Sequence, residues 1–210
     1  MRPPNKFGGN GNDRRMITDI SQLDPKGTYT YADYLKWQFD EQVELIKGKL
    51  YWMSPAPKRM HQSAVGDLSF AMRQYFYSKR CEVYDAPFDV RLPIPNKKKP
   101  EQIHTVVQPD ICVVCDLTKL DDDGCLGAPD WVVEITSPRT AKKDFNEKFQ
   151  LYEQAGVREY WIVQPKEKAI NVYVLENDEY QLVDVYESGD IPCQIFPDLI
   201  ISHERVFRTI

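Results

Sequence analysis

The chain has 210 residues, 42% hydrophobic and 28% charged, a balance that suits one globular domain of ordinary size and excludes a wholly disordered chain. A formal net charge of −5 argues against nonspecific nucleic-acid binding over the whole surface, though not against a local basic site. No apolar run approaches the roughly 18 residues of a membrane span, and the start lacks the apolar stretch of a secretory signal, so a cytoplasmic setting without membrane attachment is expected.

Residues 1–16 are rich in Gly, Asn and Arg without apolar periodicity, and read as a mobile N-terminal arm before a single domain over 17–210. Thr30 opens a helix as N-cap, with Asp33 in its first turn. Val43 to Ile46 and Leu50 to Met53 flank Lys47-Gly48-Lys49, a hairpin signal. From Lys58 to about Ser78, the three- and four-residue spacing of Ala64, Leu68, Ala71 and Tyr75 predicts an amphipathic helix. Strands are expected over Cys81 to Leu92 and Val106 to Cys115, then over Trp131 to Thr136, where Ser137-Pro138 stops the run. A helix follows from about Thr140 to Ala155, with Gly156 placed to cap it. Glu159 to Val163 reads as a strand, and Asn177-Asp178 separates the arms of a second hairpin, Ile170 to Leu175 and Tyr180 to Tyr186. Short pieces over Pro192 to Ile210 close the domain.

Five cysteines, an odd number without framework spacing, predict reduced thiols. Cys112 and Cys115 fall on opposite faces of an alternating strand and read as packing residues rather than metal ligands. Lys58-Arg59, Lys97 to Lys99, Arg139 and Lys142-Lys143 are small basic clusters; each is a solvated face or a phosphate contact.

Two acids interrupt apolar runs. Asp110 follows Pro109 in Val106 to Val114, and Glu134 lies inside Trp131 to Ile135. An ionised carboxylate in an apolar interior costs several kcal/mol unless it pairs with a cation, holds a metal or keeps a proton. On an alternating strand Val132, Glu134 and Thr136 share one face while Trp131, Val133 and Ile135 share the other, so Glu134 can face a cleft. Pro109 cannot donate to a ladder and predicts a bulge or sheet edge before Asp110. Lys148 shares a helical face with Asp144 and Tyr152. Spacing alone makes Asp144 and Lys148 an ordinary surface ion pair, but two strand carboxylates just upstream favour a site. Two acids and a lysine are the parts that metal-assisted phosphodiester cleavage needs: oxygen ligands for Mg²⁺, a polarised water and a cation beside the developing charge.

Pro109-Asp110, Val133 to Pro138, Asp144/Lys148/Tyr152 and Gly156 to Val163 resemble the Uma-two family, restriction-endonuclease-like proteins of the PD-(D/E)XK nuclease superfamily. Glu44 to Leu50, Ser54-Pro55 and His61-Gln62 extend the resemblance over residues 28–208. It implies an α/β (α+β mixed sheet) fold with a restriction-endonuclease-like core ordered helix-strand-strand-strand-helix-strand, plus added antiparallel hairpins. It further implies a DNA endonuclease using Mg²⁺ or Mn²⁺, held by Asp110, Glu134 and the backbone carbonyl of Ile135. The superfamily lysine two residues after the glutamate is Thr136 here, and Lys148 reaching back from the helix is the replacement the family's helical lysine implies. Glu44 is either an auxiliary carboxylate or a hairpin residue paired to a nearby base. His61 is a proton carrier, a phosphate contact, or a histidine satisfied by a backbone carbonyl. Gln108 lines the cleft, and Arg139, Lys142 and Lys143 are candidate substrate contacts. A homodimer would suit cleavage of both strands. The alternative is an inactive relative that keeps the fold to bind nucleic acid or protein, supported by the acidic balance and by Thr136.

Overall fold

The computed structural model describes residues 16–53, 58–93, 98–137 and 141–210. The expected arm therefore lies outside the described residues except for Met16. Among the described residues no helix is long and apolar enough to cross a membrane. The fold is mixed α/β, as expected, and the described residues form two six-stranded sheets and a two-stranded ribbon.

Local chemistry explains the first elements. Helix α1, Tyr31–Tyr34, starts at Thr30, whose hydroxyl accepts from the Asp33 amide while the Asp33 carboxylate accepts from the Thr30 amide. Strands β1, Val43–Ile46, and β2, Lys49–Trp52, turn through Lys47 and Gly48 at φ 52° and 79°. This two-residue turn carries the twist that antiparallel strands need. Helix α2, Arg59–Phe76, buries Ala64, Leu68, Met72 and Phe76 at four-residue spacing, with Ala71 and Tyr75 packed beside them.

Two expected single strands are each divided between sheets. Cys81 to Leu92 forms β3, Glu82–Asp85, and β4, Val90–Arg91; Pro87 between them has no amide hydrogen to continue a ladder. Val106 to Cys115 likewise forms β5, Val106–Val107, and β6, Ile111–Val114. The irregularity expected at Pro109 is thus a passage from one sheet to the other. Strands β7, Leu120–Asp121, and β8, Gly124–Leu126, complete the first sheet in the order β2-β1-β5-β4-β8-β7.

The second sheet holds β9, Trp131–Ile135; β10, Glu159–Gln164; β11, Ala169–Glu176; and β12, Glu179–Tyr186, in the order β12-β11-β10-β9-β6-β3. Strands β9 and β10 are parallel, and β6 runs antiparallel to β9 with Ile111 opposite Val133. The β11–β12 turn uses Asn177 and Asp178, both at positive φ. Strands β13, Asp190–Pro192, and β14, Ile200–Ser202, form the ribbon, and α5, His203–Val206, follows.

The expected alternation on β9 holds. Trp131, Val133 and Ile135 join α2 in one core, while Val132 joins Tyr152, Tyr160 and residues of the first sheet in a second. Glu134 shares the face of this second core. The helix expected over 140–155 is described from 141 and is not uniform: α3, Ala141–Lys143, passes into a π-helical turn, Asp144–Lys148, and then α4, Phe149–Ala155. Gly156 ends it in the left-handed region at φ 85°.

One cysteine expectation is corrected. Cys81 and Cys115 form a disulfide, because the register that sets Glu82 opposite Val114 sets the next residues outward opposite each other too. They are 34 residues apart, so no local spacing reveals the pair. Cys112, Cys125 and Cys193 are free and buried, and Cys112 packs in the opposite core from Cys115, as its strand position predicted.

Candidate active site

Glu134 is only 4% exposed. Its Oε1 accepts from Lys148 Nζ at 2.6 Å and from the Tyr152 hydroxyl at 2.7 Å, whereas Oε2 takes no hydrogen bond among the described residues. Lys148 and Tyr152 reach Glu134 from successive turns of the helix, as their shared face predicted. The π-helical turn ending at Lys148 widens the backbone at this point, a device common at functional sites.

Lys148 also lies 2.9 Å from Glu44 Oε1. Glu44 is fully buried on β1; its other oxygen pairs with Lys143 Nζ, and Oε1 accepts from the Gln108 amide at 3.0 Å. Of the two readings of Glu44, the pairing with lysine is what the geometry displays, but deep in the layer junction rather than at a hairpin surface. The lysine therefore bridges a carboxylate of the first sheet and one of the second.

Asp110 stands where the chain leaves the first sheet and enters β6. Its Oδ2 accepts from the amide of Ile135 at 2.7 Å, directly after Glu134. Its Oδ1 lies 3.2 Å from His61 Nε2 near the start of α2, and His61 Nδ1 is buried without a partner among the described residues. The histidine thus faces a carboxylate, not a backbone carbonyl. Gln108 turns its side chain into a buried network, donating to Asp89 Oδ1 at 2.7 Å and to the Tyr34 hydroxyl at 3.3 Å. Thr136 is buried, with its amide bonded to the Val163 carbonyl, so nothing basic occupies the usual lysine position. Arg139 lies outside the described residues, as does the side chain of Lys142; Lys143 meets Glu44.

The charges perturb one another. Burial pushes the Glu134 carboxyl up to about 8; Lys148 opposes this, while Asp110, Asp144 and Glu44 reinforce it. Burial would raise Glu44 too, but Lys148 and Lys143 outweigh it and hold that carboxyl down at about 2. Burial disfavours the Lys148 ammonium, yet Glu134, Glu44 and Asp144 keep it well above the usual lysine range. Burial, then Glu134, also raises the Tyr152 phenol well above its ordinary value, so it remains a hydrogen-bond donor. The arrangement is a buried acid-rich cluster whose proton or cation is shared between Glu134 and its neighbours.

Sequence reasoning gave no role to Tyr152 and missed Asp89 and Tyr34. Tyr152 carried a signal in its eight-residue distance from Asp144; the other two lie 19 and 74 residues from Gln108 and carried none.

A family model described as "Putative restriction endonuclease", Uma2, matches residues 31–204. The chain belongs to the Uma2 family. A relative from Synechocystis sp. (strain ATCC 27184 / PCC 6803 / Kazusa), "Uncharacterized protein slr1290", is 27% identical over 161 residues, covering 75% of this chain and 80% of the relative. Among solved structures, a protein described as "a putative nuclease belonging to DUF820" from Anabaena variabilis ATCC 29413 is similar with a TM-score of 0.66 and 21% identity. That likeness covers 86% of this chain and 98% of the other, and it establishes the fold. The Uma2 match spans every candidate residue named above, from Glu44 to Lys148.

Proposed function

We propose that this Uma2 chain is a metal-dependent DNA endonuclease that hydrolyses phosphodiester bonds. The observation that carries the reading is the meeting of Asp110, just ahead of β6, with the backbone just after Glu134 on the neighbouring β9, beneath a helix that delivers Lys148 to Glu134.

The donor set suits Mg²⁺ or Mn²⁺. Among the described residues no three His, Cys, Asp or Glu side chains converge as a closed metal cage. Mg²⁺ rarely uses one; it takes one or two carboxylates and keeps waters. Asp110 and Glu134, with the Ile135 carbonyl, would hold the ion, and Glu134 Oε2 is open to it. When bound, the ion polarises water and offsets charge on the phosphate.

The chain's own groups supply the remainder. Lys148 stands beside Glu134 to orient the attacking water and to stabilise charge growing on phosphate oxygens. Tyr152 fixes Glu134, and Glu44 holds Lys148 from the far side. His61 sits where a proton can pass to or from the Asp110 edge. Lys143, Arg139 and Lys142 are the candidate phosphate contacts, in a protein that acts as a homodimer where both strands are cut.

The test is nicking of plasmid DNA by purified protein with Mg²⁺ or Mn²⁺, alongside Asp110→Ala and Glu134→Ala variants of unchanged circular dichroism. Metal-dependent cleavage that disappears in both variants is expected. Equal nicking by wild type and variants would reject the assignment. One observation favours a second reading, a noncatalytic binding module: Lys148 is already paired with both Glu134 and Glu44. DNA binding without cleavage in any divalent metal is the outcome that selects it.

A further inference from the structure

Along the outward side of α2, Gln62, Gly66 and Phe70 follow at four-residue spacing and line a surface pocket of about 450 Å³, together with Arg205 and Arg208. Gly66 sits in the interior of an 18-residue helix, where glycine is the poorest residue short of proline. A Cβ at this position would meet nothing within 4 Å. Among the described residues no neighbour requires the glycine, so its bare backbone is open to what enters the pocket.

The walls carry a definite chemistry. Phe70 is 56% exposed, and the Arg205 guanidinium lies 5.0 Å from its ring centroid. Arg205 enters no ion pair among the described residues. Arg208 is held by Asp67 through contacts of 2.7 Å and 3.2 Å, yet its side chain remains 64% exposed, leaving part of its fork toward solvent. Two guanidiniums therefore face one carboxylate, around a flat aromatic surface. An aromatic platform flanked by arginines is how proteins hold unpaired bases and the phosphates between them. The pocket lies on the side of α2 away from the core, whereas His61 reaches Asp110 from the buried side, so a strand lying in the pocket would pass around α2 to approach the site.

We infer that this pocket holds a single-stranded stretch of nucleic acid remote from the scissile phosphate, with a base stacked on Phe70 and phosphates on Arg205 and Arg208. The inference rests on the nuclease reading and names the substrate form for it: a strand unpaired where it passes over the outer face of α2.

Fluorescence anisotropy on the full chain without divalent metal tests it, using a labelled single strand of roughly 12 nucleotides and the corresponding duplex. The single strand should bind about tenfold more tightly than the duplex. Phe70→Leu, which keeps an apolar side chain but removes the stacking face, should weaken single-strand binding about tenfold. Arg205→Gln should reduce the salt slope by about 0.7, one phosphate contact. Gly66→Gln should weaken binding while Tm stays level or rises, separating occlusion of the pocket from unfolding. Equal affinity for strand and duplex, or unchanged binding in Phe70→Leu and Gly66→Gln, overturns the inference. An acidic peptide as the true occupant would appear as indifference to Phe70→Leu. Loss of binding in these variants of a protein that cleaves nothing upholds the pocket and removes the nuclease reading; cleavage with unaltered binding in them does the reverse.

Discussion

Replacing Lys148 with methionine keeps the length of the side chain and removes the charge shared by two buried carboxylates. Nζ lies 2.6 Å from Glu134 and 2.9 Å from Glu44. At an effective dielectric near 20, the attraction to the ionised Glu44 is worth about 6 kcal/mol before desolvation is subtracted, while Glu134, pushed up to about 8, carries only part of a charge near neutrality and adds less. Measured losses on breaking a buried pair are about 3–5 kcal/mol, chiefly because the remaining partner is stranded. Here Glu44 keeps Lys143, and Glu134, already pushed up to about 8, can hold a proton. The lower end, about 3 kcal/mol, is therefore expected. For a chain of this size that corresponds to a Tm lower by roughly 6–12 °C in a calorimetric or circular-dichroism melt. Under the proposed metal site, Mg²⁺ should then raise the Tm of Lys148→Met more than that of wild type, because the ion would no longer compete with the ammonium. A variant that melts within about 2 °C of wild type refutes the idea that this lysine balances the cluster, and one that gains nothing extra from Mg²⁺ counts against the proposed metal site.

Glu44 makes a pH prediction of definite sign. Its folded pKa, about 2, lies below the ordinary 4.5, so its ionisation stabilises the fold above about pH 4.5, and that contribution is lost as pH falls toward 2. Glu44→Gln should consequently be less stable than wild type near neutrality, with the gap closing in acid; urea melts across this range measure it, and a gap independent of pH would contradict the assignment. The disulfide closes a loop of 34 residues, so reductant should destabilise the protein by about 2–4 kcal/mol, lowering Tm, while Cys81→Ser/Cys115→Ser should melt low and ignore reductant. A wild-type Tm indifferent to reductant would show that the thiols are not joined in solution.

The fold was legible where a local cause sufficed. Thr30 with Asp33, Lys47-Gly48, Asn177-Asp178 and Gly156 declare a cap, two turns and a helix end through their own backbone preferences. The apolar period of α2 declared its buried side. Division of the expected strands between sheets was not legible, because periodicity states that a segment is extended but not which neighbour it pairs with. Pro109 marked an irregularity without revealing that it begins a change of sheet, and Pro87 passed unread inside one expected strand. At the site, Glu134 and Asp110 stood out as charges in apolar runs, and Lys148 as a lysine on the face toward them. The depth of Glu44 was hidden: alternation and a lysine-rich turn suit an exposed hairpin acid equally well, and only the second sheet packed over β1 separates the cases. The Cys81–Cys115 pair was hidden for the same reason, being a consequence of register between strands distant in sequence.

The passage of the chain between sheets at Pro109 has a consequence for protein engineering. Glu44 belongs to one sheet and Glu134 to the other, and Lys148 joins them. In other folds, exchanging such a buried ionic trio for well-packed apolar residues has often been neutral or stabilising. Applied here, that exchange would remove the candidate chemistry together with the ionic joint. Sequences selected only for heat resistance should drift toward apolar residues at these three positions, whereas selection for the proposed activity should hold them ionic, so a library sorted both ways would tell the clasp from the catalyst.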